Sequence, residues 1–210
     1  MIYSYVLPHT ICTKSNRIFW VRGNTSILAV NKQISEEAID MLYGDSTFVI
    51  DVMFDDHGIR FDYQWILPNG LCPRRALTFP GDLALSNVAK IKKLYVRIHH
   101  VDSYTGWVKY NCGAHGFNDG LKHRVEELCT HLQKLNELCV LKIELRDSER
   151  SKLAEMGQVV LEPFGQLQHV HQVHFFGSVL SGFASQLKAK MQGTQGCGGG
   201  FRSSIISSSL

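Results

Sequence analysis

ILAVNKQISEEAIDMLYGDSTFVIDV, Ile27 to Val52, is the stretch on which the reading of the fold turns. Ile27, Val30, Ile34, Ala38 and Met41 recur at steps of three and four, with Leu42 beside them. One apolar stripe of that period predicts an amphipathic helix from Ile27 to Tyr43. Lys32, Glu36 and Asp40 fall on the opposite side, and Lys32 with Glu36 forms an i,i+4 pair. Leu28 and Ile39 lie outside the stripe, so the helix is expected to touch neighbours on more than one flank. Asn24, Thr25 or Ser26 supplies an acceptor for the free N–H groups of the first turn, and Gly44 is expected to close the last turn in the left-handed conformation. A shorter helix from Ser35 competes, but the stripe is already running at Ile27. Beyond Gly44, Phe48, Ile50 and Val52 alternate with Val49 and Asp51, the period of a strand.

Working outward, Met1 to Leu7 reads as a short apolar helix ended by Pro8, and Arg17 to Val21 as a strand. Asp55-Asp56-His57-Gly58 is a hairpin turn. It leads to a strand in which Ile59, Phe61, Tyr63 and Trp65 alternate with Arg60, Asp62 and Gln64. Pro68-Asn69-Gly70 breaks that strand, and a loop with Pro73 and Pro80 continues to about Ser86. Three helix–strand units follow. Val88 and Ile91 lead into Leu94, Val96 and Ile98. The stripe Leu121, Val125, Leu128, Leu132, Leu135 leads into Leu141, Ile143 and Leu145. Leu153, Met156 and Val160 lead toward Val173 and Phe175. Such units favour a parallel sheet with helices on a face. The fold class is therefore read as α/β with an α+β opening, its later part an irregular leucine-rich-repeat-like sheet. Tyr104 to Gly120 reads as a polar loop carrying Trp107, Tyr110 and Phe117. One globular domain is expected over 1–177, with subparts 1–66 and 86–177. A low-complexity, disordered tail is expected over 178–210, where Gly196 to Gly200 and Ser203 to Ser209 lack a core pattern.

The helix–strand unit is similar to one shared by a fungal F-box-like family whose members have no established activity. That layout is a helix of the form L-x-x-N-x-Q-I-x-x-E-A-x-x-x-L-Y followed by an N-T-F-like strand. Leu28, Asn31, Gln33, Ile34, Glu37, Ala38, Leu42, Tyr43, Thr47 and Phe48 carry the match. Met1 to Pro8 resembles the second half of the family's F-box-like opening, without the L-P-x-E-I-R stretch that precedes it. The resemblance implies contact with an Skp-type adaptor of a cullin ubiquitin ligase through an apolar N-terminal helix, with Ile2, Val6 and Leu7 as anchors. With half of that opening missing, adaptor binding is expected only if the N-terminus is extended. Recognition then passes to the later part, with Trp107 and Tyr110 as partner-binding residues.

The chain has 210 residues, enough for a sizeable core. Its formal net charge of +3 is spread along the chain, so nucleic acid is not expected as a partner. There is no apolar run of membrane-spanning length and no signal-peptide core, so an intracellular place, cytoplasmic or nuclear, is expected. The six cysteines show no C-x-x-C pair and are read as free thiols.

Three patterns suggest chemistry. Gly44-Asp45-Ser46 resembles the nucleophile block of GDS-type esterases, but the turn from helix to strand explains it and no D-x-x-H follows. His169, His171 and His174 offer a metal pair on a strand face without an evident third ligand; His99-His100 reads as the exposed end of a strand. The glycines at Gly196 to Gly200 lack the lysine and Ser/Thr of a phosphate loop. No catalytic, cofactor or metal residue is assigned. The expected function is a non-catalytic protein–protein interaction protein, in narrower form a degenerate F-box-like substrate-recognition protein. The alternatives are a hydrolase using Ser46 and an orphan structural protein.

Overall fold

The computed structural model describes residues 3–14, 17–55, 58–67, 69–81, 85–101, 103–135, 137–147, 154–168 and 170–193. The chain is α/β: its strands form a curled, mixed sheet shaped like half a barrel. The elements run α1 (Tyr3–Val6), β1 (His9–Cys12), β2 (Ile18–Val21), α2 (Lys32–Asp45), β3 (Thr47–Val52), β4 (Ile59–Ile66) and β5 (Arg74–Thr78). Then come α3 (Leu85–Val88), β6 (Lys93–His100), α4 (Ser103–Tyr110), α5 (Ala114–Leu132), β7 (Val140–Asp147), α6 (Ala154–Val159), β8 (Gln172–Gly177) and α7 (Ser181–Met191). Two 3-10 helices, Thr25–Ala29 and Glu162–Gln166, link them.

The strand order is β1-β2-β4-β3-β6-β7-β8, with β5 paired to β4. The neighbours β3, β6, β7 and β8 are all parallel, as the helix–strand rhythm predicts. The expected hairpin joins β3 and β4 antiparallel, with Ile50 opposite Phe61. Phe48, Ile50, Val52, Leu94, Val96, Ile98, Leu141, Ile143, Leu145 and Val173 turn one face of the sheet into a core. Leu121, Val125, Leu128 and Leu132 of α5 pack in the same cluster. No helix of the described residues is long and apolar enough to cross a membrane.

The long helix from Ile27 does not form as expected. Residues 25–29 are a 3-10 turn, and the α-helix begins at Lys32. The cause is Asn31: its backbone is extended, and its side-chain oxygen accepts from the Ile34 N–H at 2.9 Å. A local side-chain cap of this kind outcompetes continuation of the stripe. Asn24 caps the 3-10 turn in the same way, through Ser26 N–H. Gly44 is helical, not left-handed; α2 runs through it to Asp45. Only Ala38 of α2 is buried, and Ile34 is half-exposed, so the helix lies less deeply than its stripe suggests.

Three further expectations change. The loop from Pro73 contains an edge strand, β5, whose Arg74 and Arg75 are exposed. The loop Tyr104 to Gly120 is two helices, α4 and the start of α5. Ser181–Met191, placed in the disordered tail, is α7, and its Leu187 and Met191 are buried. Asp56, His57, Pro68, Leu153, His169 and residues 194–210, Cys197 among them, lie outside the described residues.

Close approach of another backbone segment requires glycine at Gly177, as it does at Gly23. A Cβ at Gly177, where φ is +76°, would overlap the Leu145 carbonyl of the neighbouring strand.

Candidate functional site

The face of the sheet turned away from α5 carries a charged network built around two buried carboxylates. The pleat sends Asp51 of β3, Arg60 and Asp62 of β4, Arg74 of β5, and Arg97 and His99 of β6 to the same side. Arg97 Nε and Nη2 donate to Asp51 at 2.7 and 2.6 Å, a bidentate pair. Arg97 also donates to Asp62. Arg74 Nε donates to Asp62 at 2.5 Å, and its Nη2 to Asp51 at 2.9 Å. His99 Nε2 lies 2.8 Å from Asp51. The Asp51 and Asp62 side chains are 3% and 7% exposed. Burial pushes the Asp51 carboxyl up, but the His99 hydrogen bond and the Arg97 charge outweigh it and hold it at about 2. Arg97 is correspondingly raised: burial works against its charge, and Asp51 and Asp62 prevail. Arg60 stands apart, its Nε buried without a partner among the described residues.

A cleft of about 500 Å³ lies over this network. Arg17 and Arg146 line it beside Gln64, Tyr95 and Glu144. Tyr95 Oη and Arg146 Nε both donate to Glu144 Oε2, at 2.7 and 2.9 Å. Burial and the Glu144 contact raise the Tyr95 phenol to about 12. Asp51, Asp62 and Glu144 are thus each held by a donor, so none is placed as a free general base. The arrangement ties strands β3, β4, β5 and β6 together.

On the core face, His100 is buried rather than exposed. Its Nε2 lies 2.7 Å from Asn118 Oδ1 and its Nδ1 3.3 Å from Asp147, joining β6, α5 and β7. The sequence signal lay in period two: His99 and His100 continue the alternation of Tyr95, Val96, Arg97 and Ile98 and so point to opposite faces.

Helix α4 presents the other notable surface. Tyr104, Trp107 and Val108 stand at i, i+3 and i+4 and are 76%, 70% and 68% exposed. Tyr110 points the other way: its ring lies 5.0 Å from Phe54 and 5.9 Å from Phe117. Trp107 therefore stands in solvent, whereas Tyr110 packs inward. Lys109, beside the stripe, lies over the Tyr110 ring.

At the N-terminus, Ile2 lies outside the described residues, Val6 is half-buried and Leu7 is buried. Of the anchors expected for an adaptor, Leu7 is the one seen packed inward. An apolar groove of about 830 Å³ runs between Tyr3 and α2, past Ile27, Ile34 and Met41. Its carboxylates are paired: Glu37 with Tyr3 and Gln33, Asp40 with Lys90, Asp45 with Lys93. Ser46 is 2% exposed, shut in where α2 passes into β3. His171 and His174 are exposed.

The chain matches no known family model, no curated protein and no solved structure.

Proposed function

We propose that the chain is a non-catalytic protein-interaction protein whose contact face is the outer side of α4. The observation that carries this is the stripe Tyr104, Trp107 and Val108, three large apolar side chains left in solvent on one short helix. Exposed aromatic clusters at helical spacing are typical interface anchors, and their exposure costs solvation free energy unless a partner covers them. The paired carboxylates of the open face and the enclosed Ser46 hydroxyl fit a non-catalytic role. The matching partner presents an apolar groove to receive Trp107, with a carboxylate at its rim to meet Lys109. An F-box-like substrate-recognition role is the narrower form of the same reading. Contact with an Skp-type adaptor would then need apolar surface upstream of α1, because Leu7 is committed to the core.

The test is affinity purification with quantitative mass spectrometry, comparing the chain with Trp107→Ala and with Tyr104→Ala/Val108→Ala. The proposal predicts one defined set of partners lost by both variants while their denaturation midpoints hold. Partners retained by both variants would overturn it. The alternative use of Ser46 predicts fluorophosphonate labelling that disappears in Ser46→Ala; no labelling is expected.

A further inference from the structure

Beyond the α4 surface, the leading ends of β7 and β8 bring together three side chains of metal-ligating type. Glu137 and Cys139 lie just ahead of β7, two residues apart, and His171 lies just ahead of β8. The placement follows from the parallel register. Val140 sits opposite Gln172, so Cys139 and His171 are neighbours across the same pair. Backbone bonds fix the approach: Gln172 N–H donates to the Cys139 carbonyl at 2.9 Å. A carboxylate oxygen, a thiol sulfur and an imidazole nitrogen all lie within 4.8 Å of one another. Glu137 and His171 also border a cavity of about 470 Å³ between α5 and β8.

We infer that Glu137, Cys139 and His171 form a zinc site. A tetrahedral zinc ion with ordinary bond lengths sets its ligand atoms roughly 3.5 Å apart. Closing from 4.8 Å needs about 1 Å of side-chain movement, and Glu137 and His171 are exposed enough to make it. The chemistry of the set selects the metal. A thiolate and an imidazole suit zinc, whereas calcium and magnesium take oxygen ligands. Three protein ligands leave the fourth position to water. Binding requires the Cys139 thiol to give up its proton to solvent as the sulfur–zinc bond forms. The Glu137 carboxyl is already held below its usual range, first by the hydrogen bond from Lys92 and further by the charges of Lys92 and His171. Lys92 Nζ, 3.0 Å from Glu137 Oε2, competes with the metal for that carboxylate. A bound ion would pin the starts of two adjacent parallel strands. The inference is independent of the reading of α4.

Cobalt(II) serves as the spectroscopic probe, zinc as its competitor. One equivalent of cobalt added to the full chain at neutral pH gives a thiolate-to-cobalt charge-transfer band, bleached by one equivalent of zinc and unaffected by magnesium. The band disappears in Cys139→Ser, and cobalt affinity falls at least tenfold in His171→Ala. Lys92→Met, which frees Glu137, tightens binding. That gain separates a true ligand set from general damage, because a merely destabilised chain does not bind more strongly. A band that survives Cys139→Ser would place the metal on another cysteine and overturn the inference. So would the absence of any band in the unmodified chain, or zinc affinity unchanged in His171→Ala.

Discussion

Asp51 gathers the electrostatics of the open face into one residue. It accepts from two arginines and stands beside a histidine while 3% exposed. A buried network of this kind is damaged far more by loss of one member than it contributes as a whole. Arg97→Ala leaves Asp51 and Asp62 short of a cation. It is expected to cost about 3 kcal/mol or more, read as a fall in the denaturant midpoint. The pH dependence has a definite sign. The folded carboxyl is held at about 2, below the ordinary value of 3.8. Its contribution of about 2 kcal/mol is present above pH 3.8 and is lost as pH falls through 2. Stability measured from pH 5 to pH 2 is expected to fall less steeply in Asp51→Asn than in the unmodified chain. Little of this network was legible in the sequence. Asp51 inside an apolar strand and the Arg60 and Asp62 positions were visible, but Arg97 was not singled out, and only strand pairing brings them together.

At the scale of elements, strands were read more securely than helix boundaries. β3, β4, β6 and β7 follow alternation that burial enforces residue by residue. The start of α2 was decided by one side chain, Asn31, against an apolar stripe pointing the other way. α4 was missed because Gly106 and its flanking polar residues resemble a loop; its stripe faces solvent, so no buried pattern announced it. β5 was missed because an edge strand between prolines shows no apolar period. The corrected position of α2 changes what substitutions do. Ala38 is fully buried and Ile34 is not. Ala38→Asp is expected to cost about 3 kcal/mol or more, and Ile34→Asp about 1 kcal/mol. Denaturation midpoints that rank the two in the reverse order would contradict this placement.

At the scale of the molecule, helix-then-strand order made the parallel half of the sheet legible: β3, β6, β7 and β8 are neighbours. The mixed half, in which β2 pairs parallel with β4 and β5 lies beside it, depends on long-range pairing that no local pattern encodes. The last helix closes the described fold. Met191 is fully buried, and Gln192 Nε2 donates to the His171 carbonyl at 2.7 Å. A chain ending at Lys190 loses both. Removing a buried Met side chain alone costs about 2 kcal/mol or more, so its melting temperature is expected to fall by roughly 4 °C or more. A chain ending at Gly193 keeps these contacts and is expected to melt within about 2 °C of the full chain.

The outer face of α4 is where the molecule is proposed to meet its partner, and site-specific photo-cross-linking tests that most directly. A photo-reactive amino acid is placed at Trp107 or, as a control, at the exposed His123 of α5. Cells carrying each version are irradiated. The expected result is a discrete cross-linked species from position 107, absent from position 123 and lost when Tyr104 and Val108 are changed to Ala. The same species from both positions, or none from position 107, would contradict a contact face on α4.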